Sequence, residues 1–525
     1  MQDLILGLIP ENVFSFSWVL IILAGILVVL LLEYLNIKRF HLWIGIITLI
    51  SAMVPLIWYL AVPATQGIQF FYGFVVSGSL NYNNSVIVID HFTAFMGLLF
   101  LIVNTLVLLA STEFMKKEEN LFVFTSLMLL ATLGMIFVAS TIDVVVLVVA
   151  WELVSIPSYI LVAFKKNERE STEAAVKFFI VGAVSSAMML FGASLLYGLN
   201  PFGTTNYYVL MKQVTLVPSY LGGIVLVGVT FVVAGLGFKM GTVPFHWWLP
   251  DAYEGALTPV TTMLAAASKK VGFAAGFRVL LIPVMLSWNI ATSTQVMNII
   301  VLIFTFVAIF TMIVGNIGAL VQTKMKRLLA YSSIGQAGYI MLAIASFDQR
   351  SFTGGLYHVF AHAFMTIGAF ICVMIVTSRT GTDDIADYKG LGKRMPWTSL
   401  VLSLSFLSLA GIPPFVGFAS KLWIFLGALD NGGISSILYV GALIMVITSA
   451  ISVYYYVRVI KYMVMDEPPD NLPDEIFQKA PRVPFAYWFP LIITTAVVVL
   501  FGLFASPFLD FLNLVQQMAW SHIIV

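Results

Sequence analysis

Residues 235–260 read GLGFKMGTVPFHWWLPDAYEGALTPV, and they follow an apolar run, Leu221–Ala234, of the kind that opens a membrane helix. Lys239 then appears, with Pro244 five residues later. A lysine at the centre of a membrane helix costs about 2.5–3.5 kcal/mol on insertion scales. Pro244 cannot donate to the carbonyl of Met240, which interrupts the helical ladder. Gly235, Gly237 and Gly241 add backbone freedom beside it. Broken membrane helices are tolerated where the freed backbone groups meet protein or water. Transporters build ion sites near the midplane in this way. The stretch is therefore read as a membrane helix interrupted at a polar site. The competing reading, a kinked packing helix with a snorkelling lysine, is opposed by the depth of Lys239 in the run.

Composition agrees. The 525 residues are 60% hydrophobic and only 10% charged, whereas soluble domains carry about 25% charged residues. A large soluble core would need polar faces that these runs lack, and a β-barrel would show alternating segments of about ten residues. The fold class expected is an all-α integral membrane protein. The net charge of +1 gives no basic footprint for nucleic acid. A single cysteine, Cys372, allows neither an intrachain disulfide nor a cysteine-held cluster. The first residues show no basic, cleavable leader, so the first helix is expected to stay.

Fourteen spans are expected, at 13–35, 41–62, 90–111, 120–139, 143–163, 173–198, 219–248, 257–284, 294–318, 326–346, 353–377, 397–428, 435–464 and 485–512. The long loop Pro63–Ile89 has room for a hairpin, and the Pro- and acid-rich linker Asp466–Pro484 isolates the last span. Taking Met1 as outside, the inward loops gather eighteen basic residues, from Lys38 and Arg39 to Lys479 and Arg482, and the outward loops only Lys212 and Arg350. That asymmetry follows the positive-inside rule and puts both termini on the outer side of a cell inner or plasma membrane. Six of the 26 Lys and Arg remain, all assigned to helices: Lys177, Lys239, Lys269, Lys270, Arg278 and Lys421.

Charged residues inside a membrane protein mark ion or proton paths. Glu152 lies halfway along the fifth span, and facing a lysine it could gain and lose a proton, because burial and a nearby cation act on a carboxylate in opposite senses. Lys269 and Lys270 are adjacent in the eighth span, about 100° apart around the helix, so one at most is expected to point along a given axis. Arg278, two to three turns on, is read as snorkelling. In the twelfth span Pro413 and Pro414 break the helix and Lys421 follows, which repeats the pattern of the seventh. Lys177 stands four residues after Glu173, a spacing that fits an ion pair or a functional role equally. His246 follows the Pro244 break and is either a core histidine or a proton relay. His358 and His362 share one helical face; without a third ligand nearby they read as a relay or a structural pair rather than a metal site. Asp90 and Glu33 sit near span ends, within reach of interfacial water. No phosphate loop, nucleophile triad, haem or iron–sulfur signature is present, which leaves redox chemistry to other chains.

Together the segments WELVSIPSYIL, EAAVKFFIVGAVSSAMMLFG, GFKMGTVPFHWWLPDAYEGALTPV, SKKVGFAAGFR, KMKRLLAYSSIGQAGY, RTGTDDIADYKGLG and AGIPPFVGFASKLWIF resemble the antiporter-like subunits of respiratory complex I. Within that family they are most similar to the N type, which has mitochondrial and chloroplast counterparts, and SVYYYVRVIKYM fits the same type. The resemblance implies fourteen helices with broken helices 7 and 12. It also implies two inverted five-helix repeats, 112–290 (helices 4–8) and 291–465 (helices 9–13), after helices 1–3 in 1–111 and before the linker and helix 14 in 466–525. Carried over by motif, the helix-five glutamate is Glu152 and the lysine of the broken seventh helix is Lys239. The helix-eight lysine, preceded by Ser268 and followed by Arg278, is Lys269, and the lysine of the broken twelfth helix is Lys421. M-type subunits usually carry glutamate at that last position, and the L type usually extends into a long lateral helix. Lys270 is an extra neighbour, and HAFMTIGAF has Thr366 where a lysine stands in L and M subunits.

The resemblance implies a proton-translocating membrane subunit of a complex I-like oxidoreductase that passes electrons to a quinone-type acceptor. Glu152 and Lys239 would act as a modulating pair, Lys269 as the axial exchanger and Lys421 as the terminal donor or acceptor. No cofactor is expected in this chain. The expected partners are further antiporter-like and small membrane subunits and the lipid bilayer. The alternative is a subunit of a multisubunit sodium/proton antiporter; a third reading is a structural spacer that translocates nothing.

Overall fold

The computed structural model describes residues 10–61, 69–72, 85–116, 118–199, 203–207, 210, 221–281, 294–430, 436–468 and 483–520. Lys117, Lys212, Lys479 and Arg482 of the charge tally, and the middle of the expected linker, lie outside them.

Twelve helices among the described residues are long and apolar enough to cross a membrane. They are spans 1–7, 9–11, 13 and 14 of the sequence reading. The other two are made of pieces. Span 8 runs Thr258–Met263, a π turn at Leu264–Ser268, Lys269–Gly276 and a second π turn at Phe277–Leu281. Span 12 is Pro396–Ala410 followed by Val416–Asp430. The loop between spans 2 and 3 holds the expected hairpin, in which strand β1 (Gln69–Tyr72) pairs antiparallel with β2 (Ser85–Ile89).

Spans 10 (Met325–Ala345) and 11 (Gln349–Thr380) form the centre, each with 94% of its apolar window buried, against 28% for spans 1 and 14. Span 10 also has the lowest mean hydropathy of the twelve, 1.4. Greatest burial with least hydropathy means that its polar side chains, Ser332, Ser333, Gln336 and Tyr339, face protein rather than lipid. That is the arrangement a polar membrane interior requires.

The two breaks depart from the sequence reading in their cause. Span 7 ends at Met240, before Pro244, because Gly241 takes a left-handed conformation (φ 66°). Thr242 N then donates back to Gly237 O at 3.0 Å. Span 12 ends its first half in the same way: Gly411 has φ 84° and Ile412 N donates to Leu407 O at 3.1 Å. Both are glycine C-caps of the Schellman type. The prolines stand beyond caps already made and prevent resumption. Gly241→Ala or Gly411→Ala is expected to cost about 1–2 kcal/mol, the penalty of a Cβ in the left-handed region. A Cβ at Gly411 would also stand 3.1 Å from the Lys421 amine. The thermal midpoint of the solubilised protein checks this; an unchanged midpoint in both variants would show that the caps are not what ends these helices.

The last span is also shorter than expected. One helix over 485–512 is replaced by Phe485–Leu503 and a separate helix Ala505–Trp520, which packs on spans 3 and 11. Pro507 is the cause, since it cannot donate to Leu503 and its ring clashes with that carbonyl.

Candidate functional site: a buried polar path between the two broken helices

Glu152 projects from span 5 (Val144–Val162) and accepts from Ser186 Oγ of span 6 at 2.6 Å. Lys239, 1% exposed near the end of span 7, donates to Ser155 Oγ at 2.9 Å. Ser155 stands one turn beyond Glu152 on the same helix. The expected pair is therefore offset by a turn, with no Glu152–Lys239 contact within 4.0 Å, and each member is held by a serine. The Lys239 amine also lies 5.8 Å from the Phe178 ring.

The π turn ahead of Lys269 sets the geometry of span 8. Lys269 points to span 10, where its amine donates to Ser333 O at 2.6 Å and Ser333 Oγ at 3.0 Å. A Cβ on the cap residue Gly241 would stand 3.3 Å from that amine, which places Lys269 against the first break. Lys270 points the other way, to span 11. It donates to Ala265 O at 2.8 Å and makes a short contact with His362 Nδ1. The two lysines diverge as helix geometry requires, in line with the expectation that one at most points along a given axis, and both find polar partners.

The path continues through span 11. His362 and His358 stack with ring centroids 6.3 Å apart. His358 Nε2 lies 2.9 Å from Gln336 Oε1, and its Nδ1 2.9 Å from Ser420 Oγ. Gln336 Nε2 donates to Leu409 O at 3.0 Å, which leaves its amide oxygen to face the histidine. Lys421 donates to the same Leu409 O at 2.9 Å, to Ala410 O at 3.2 Å and to Ser449 Oγ at 3.0 Å. Two of these acceptors are terminal carbonyls of the first half of span 12, where the helix dipole favours a cation. From Lys270 to Lys421 there is thus a run of polar groups: His362, His358, Gln336 with Ser420, and the carbonyl of Leu409.

Lys239, Lys269, Lys270 and Lys421 are all buried, and none makes an ion pair among the described residues. Their partners are hydroxyls, carbonyls and an imidazole, which accept a hydrogen bond from either an ammonium or an amine. Charge on one is felt at the next with little screening, because the medium between them is protein.

Other sequence candidates lie elsewhere. Lys177 pairs with Glu173 at 2.9 Å and Asp251 at 2.8 Å and is 47% exposed, which is the ion-pair reading with a second carboxylate added. Asp251 and Glu254 continue that network through Arg327, at 3.0 and 2.7 Å, and Glu254 also meets Lys324 at 2.6 Å. Burial alone would raise both carboxyls; hydrogen bonds from Lys177 and Arg327 to Asp251, and from Lys324 and Arg327 to Glu254, hold them below their usual range. His246 sits in the first break, 4.8 Å from the Trp247 ring, and makes no hydrogen bond to a buried lysine. Glu33 lies 3.6 Å from His41. Arg278 and Asp90 correct the reading that took both to water: they are 1% and 2% exposed and form a bidentate pair at 2.6 and 2.8 Å.

Sequence reading passed over Ser155, Ser333, Gln336 and Ser420, which hold the charged groups. Their signal was present: each is a polar residue in an apolar span, and Ser155 stands three after Glu152, on its face of the helix.

The comparisons with known proteins bear on this arrangement. Residues 141–452 match the family described as NADH:quinone oxidoreductase/Mrp antiporter, TM. The chain is 39% identical over 433 residues to F(420)H(2) dehydrogenase subunit N of Methanosarcina mazei, covering 80% of this chain and 83% of that protein. It is 37% identical over 514 residues to NAD(P)H-quinone oxidoreductase subunit 2 of Thermosynechococcus vestitus, covering 95% and 92%. Among solved structures, a chain of respiratory complex I from Thermus thermophilus superposes with a TM-score of 0.71 at 26% identity, over 94% of this chain and 98% of that one. The family match spans the first break, both span-8 lysines, the two histidines and Lys421, so the buried path lies inside it. The chain belongs to the NADH:quinone oxidoreductase/Mrp antiporter membrane family, and is a complex I-like, antiporter-type membrane subunit.

Proposed function

We propose that the chain moves protons across the membrane along this path, within an oxidoreductase complex whose other subunits carry the electrons to a quinone-type acceptor. Glu152 sets the charge of Lys239 across one helical turn, Lys269 and Lys270 exchange protons at the centre, and Lys421 is the terminal donor or acceptor, towards the outside. Both chain termini face that outer side, and residues 112–290 and 291–465 are the two inverted units, each with one break. The chain itself holds no electron carrier, a reading that rests on its single cysteine and the lack of a cofactor motif.

The observation that carries the proposal is the polar run from Lys270 through His362 and His358 to Lys421, which joins span 8 to the second break. A structural spacer has no need of four buried lysines without counter-ions, since each ion desolvated costs several kcal/mol. The sodium/proton antiporter alternative shares the family, but the relatives named above are subunits of an F(420)H(2) dehydrogenase and an NAD(P)H-quinone oxidoreductase.

The test uses the intact complex in sealed vesicles, with proton uptake driven by substrate oxidation in sodium-free medium. Glu152→Gln and Lys239→Met are each expected to lower uptake about tenfold, the effect of about 1.4 kcal/mol on a barrier. Undiminished pumping by both variants in assembled complex would support the spacer reading instead. Uptake that requires sodium would favour the antiporter.

A further inference from the structure

Lys269 is 2% exposed, so a proton reaches it only through other groups. The short helix Trp248–Gly255, just beyond the first break, lies on its inward side. Glu254 of that helix meets Lys324 and Arg327 at the start of span 10, at 2.6 and 2.7 Å. Thr261 of span 8, about two turns before Lys269, donates to Tyr253 O at 2.9 Å.

The two sides of this helix differ. Asp251, Glu254 and Gly255 line a cavity of about 230 Å³ together with Glu170, Glu173 and Lys177 from the inward end of span 6. Glu173 and Lys177 are 52% and 47% exposed, so the cavity communicates with the inward medium. Its walls are polar and its volume is ample, which is what holds water. Tyr253 is adjacent to Glu254, hence about 100° away around the helix, and it is fully buried. Its ring meets that of Phe370 in span 11 edge-on, with centroids 6.0 Å apart. Its hydroxyl lies beside Ser333 of span 10 and makes no hydrogen bond among the described residues. Ser333 Oγ is in turn 3.0 Å from the Lys269 amine. A buried phenol without a hydrogen bond carries a cost that phenylalanine would avoid in the same space, so packing does not account for the hydroxyl.

We infer that Tyr253 passes protons from the inward cavity to Lys269 through Ser333. This rests on the proton-translocating reading above and names the entry to its central lysine. When Lys269 is a neutral amine, Ser333 Oγ–H gives its proton to the amine nitrogen. The Tyr253 phenol replaces that proton on Ser333 Oγ, and a proton entering from the cavity past Glu254 restores the phenol. One proton leaves the inward water and one ammonium forms, with both hydroxyls regenerated.

The test uses the intact complex in sealed inside-out vesicles, with substrate-driven proton uptake measured in sodium-free medium. Tyr253→Phe is expected to lower uptake about tenfold, less than the loss of a group on the path itself, because cavity water offers a slower bypass. The deficit relative to the unmodified complex should shrink as the inward-face pH is lowered, since water then protonates the amine directly. Ser333→Ala breaks the same link while leaving Lys269 its bond to Ser333 O. It should give a similar loss, and the double variant should be no worse than either single one. Uptake by Tyr253→Phe at the unmodified rate overturns the assignment. So does a deficit that ignores inward pH, which would mark a packing role, and so do additive losses in the double variant. Should Tyr253→Phe fail to assemble, Ser333→Ala alone carries the test, and undiminished uptake by it overturns the assignment. If the unmodified complex itself takes up no protons, the proton-translocating reading falls, and this entry with it.

Discussion

Lys270→Met is expected to lower substrate-driven proton translocation about a hundredfold, at the lower end of what removing a proton-transferring group costs. The reason is connectivity. Lys270 is the span-8 side chain in contact with His362, and beyond His362 the polar run continues to Lys421. Methionine has nearly the same length and packs where the lysine stem packs, but it offers no exchangeable proton. Glu152→Gln is milder, because Glu152 acts on the path through the charge of Lys239 and carries no proton along it. Lys269→Met severs a different link, the one between the first break and Ser333. Lys270→Arg keeps the contact and the charge but holds its proton permanently, so it should block nearly as well as methionine. Proton uptake in vesicles and substrate oxidation by the same complex are the measurements. Pumping at the unmodified rate in assembled Lys270→Met complex would show that His362 is not fed from span 8.

Much of this was legible in the sequence. Membrane class, the number of spans and the presence of two interrupted helices follow from hydropathy and from the glycines and prolines near Lys239 and Lys421. What the sequence hides is which residue does the interrupting. Proline announces a break, yet at both sites a left-handed glycine has already ended the helix. A glycine becomes a cap only when tertiary packing closes the turn, and no local pattern separates Gly241 from Gly237. The family motif likewise selected Lys269 by its neighbours in sequence, whereas the contact with His362 belongs to Lys270. A π turn five residues long precedes the pair and settles which way each amine points, and hydropathy carries no trace of it.

The breaks and the lysines form one design. An interrupted helix leaves carbonyls without intrahelical donors, and a buried amine needs acceptors. At the second break Lys421 meets both requirements by donating to Leu409 O and Ala410 O. A lysine in an unbroken membrane helix would find those carbonyls already engaged. Lys421 is therefore placed where the backbone has acceptors to give, so the second break lowers the cost of its charge and the charge satisfies the break.

Arg278→Met and Asp90→Leu should each destabilise the protein by about 3–5 kcal/mol, since either leaves a charge buried without its partner. The pair joins residues 188 positions apart and is sealed on every side. Arg278 Nη2 also donates to Thr93 Oγ1 at 2.7 Å and its Nε to Ala139 O at 3.0 Å, while its guanidinium lies 4.7 Å above the Phe92 ring. Asp90 caps span 3 as well, accepting from Thr93 N at 2.8 Å. One ion pair therefore fixes the end of span 8 to the start of span 3, and with it the direction in which Lys269 and Lys270 project. Replacing both partners is a different perturbation. It removes the orphaned charge, so the double variant should lose several kcal/mol less than the sum of the singles. The cap on span 3 is lost wherever Asp90 is replaced, which costs about 1 kcal/mol. Thermal midpoints of the three variants in detergent make the comparison. Additive losses would mean that the two side chains are stabilised separately and that span 8 is held by its apolar packing alone. A rescued double variant with impaired pumping would mean that the pair exists to aim the lysines as well as to hold the helices.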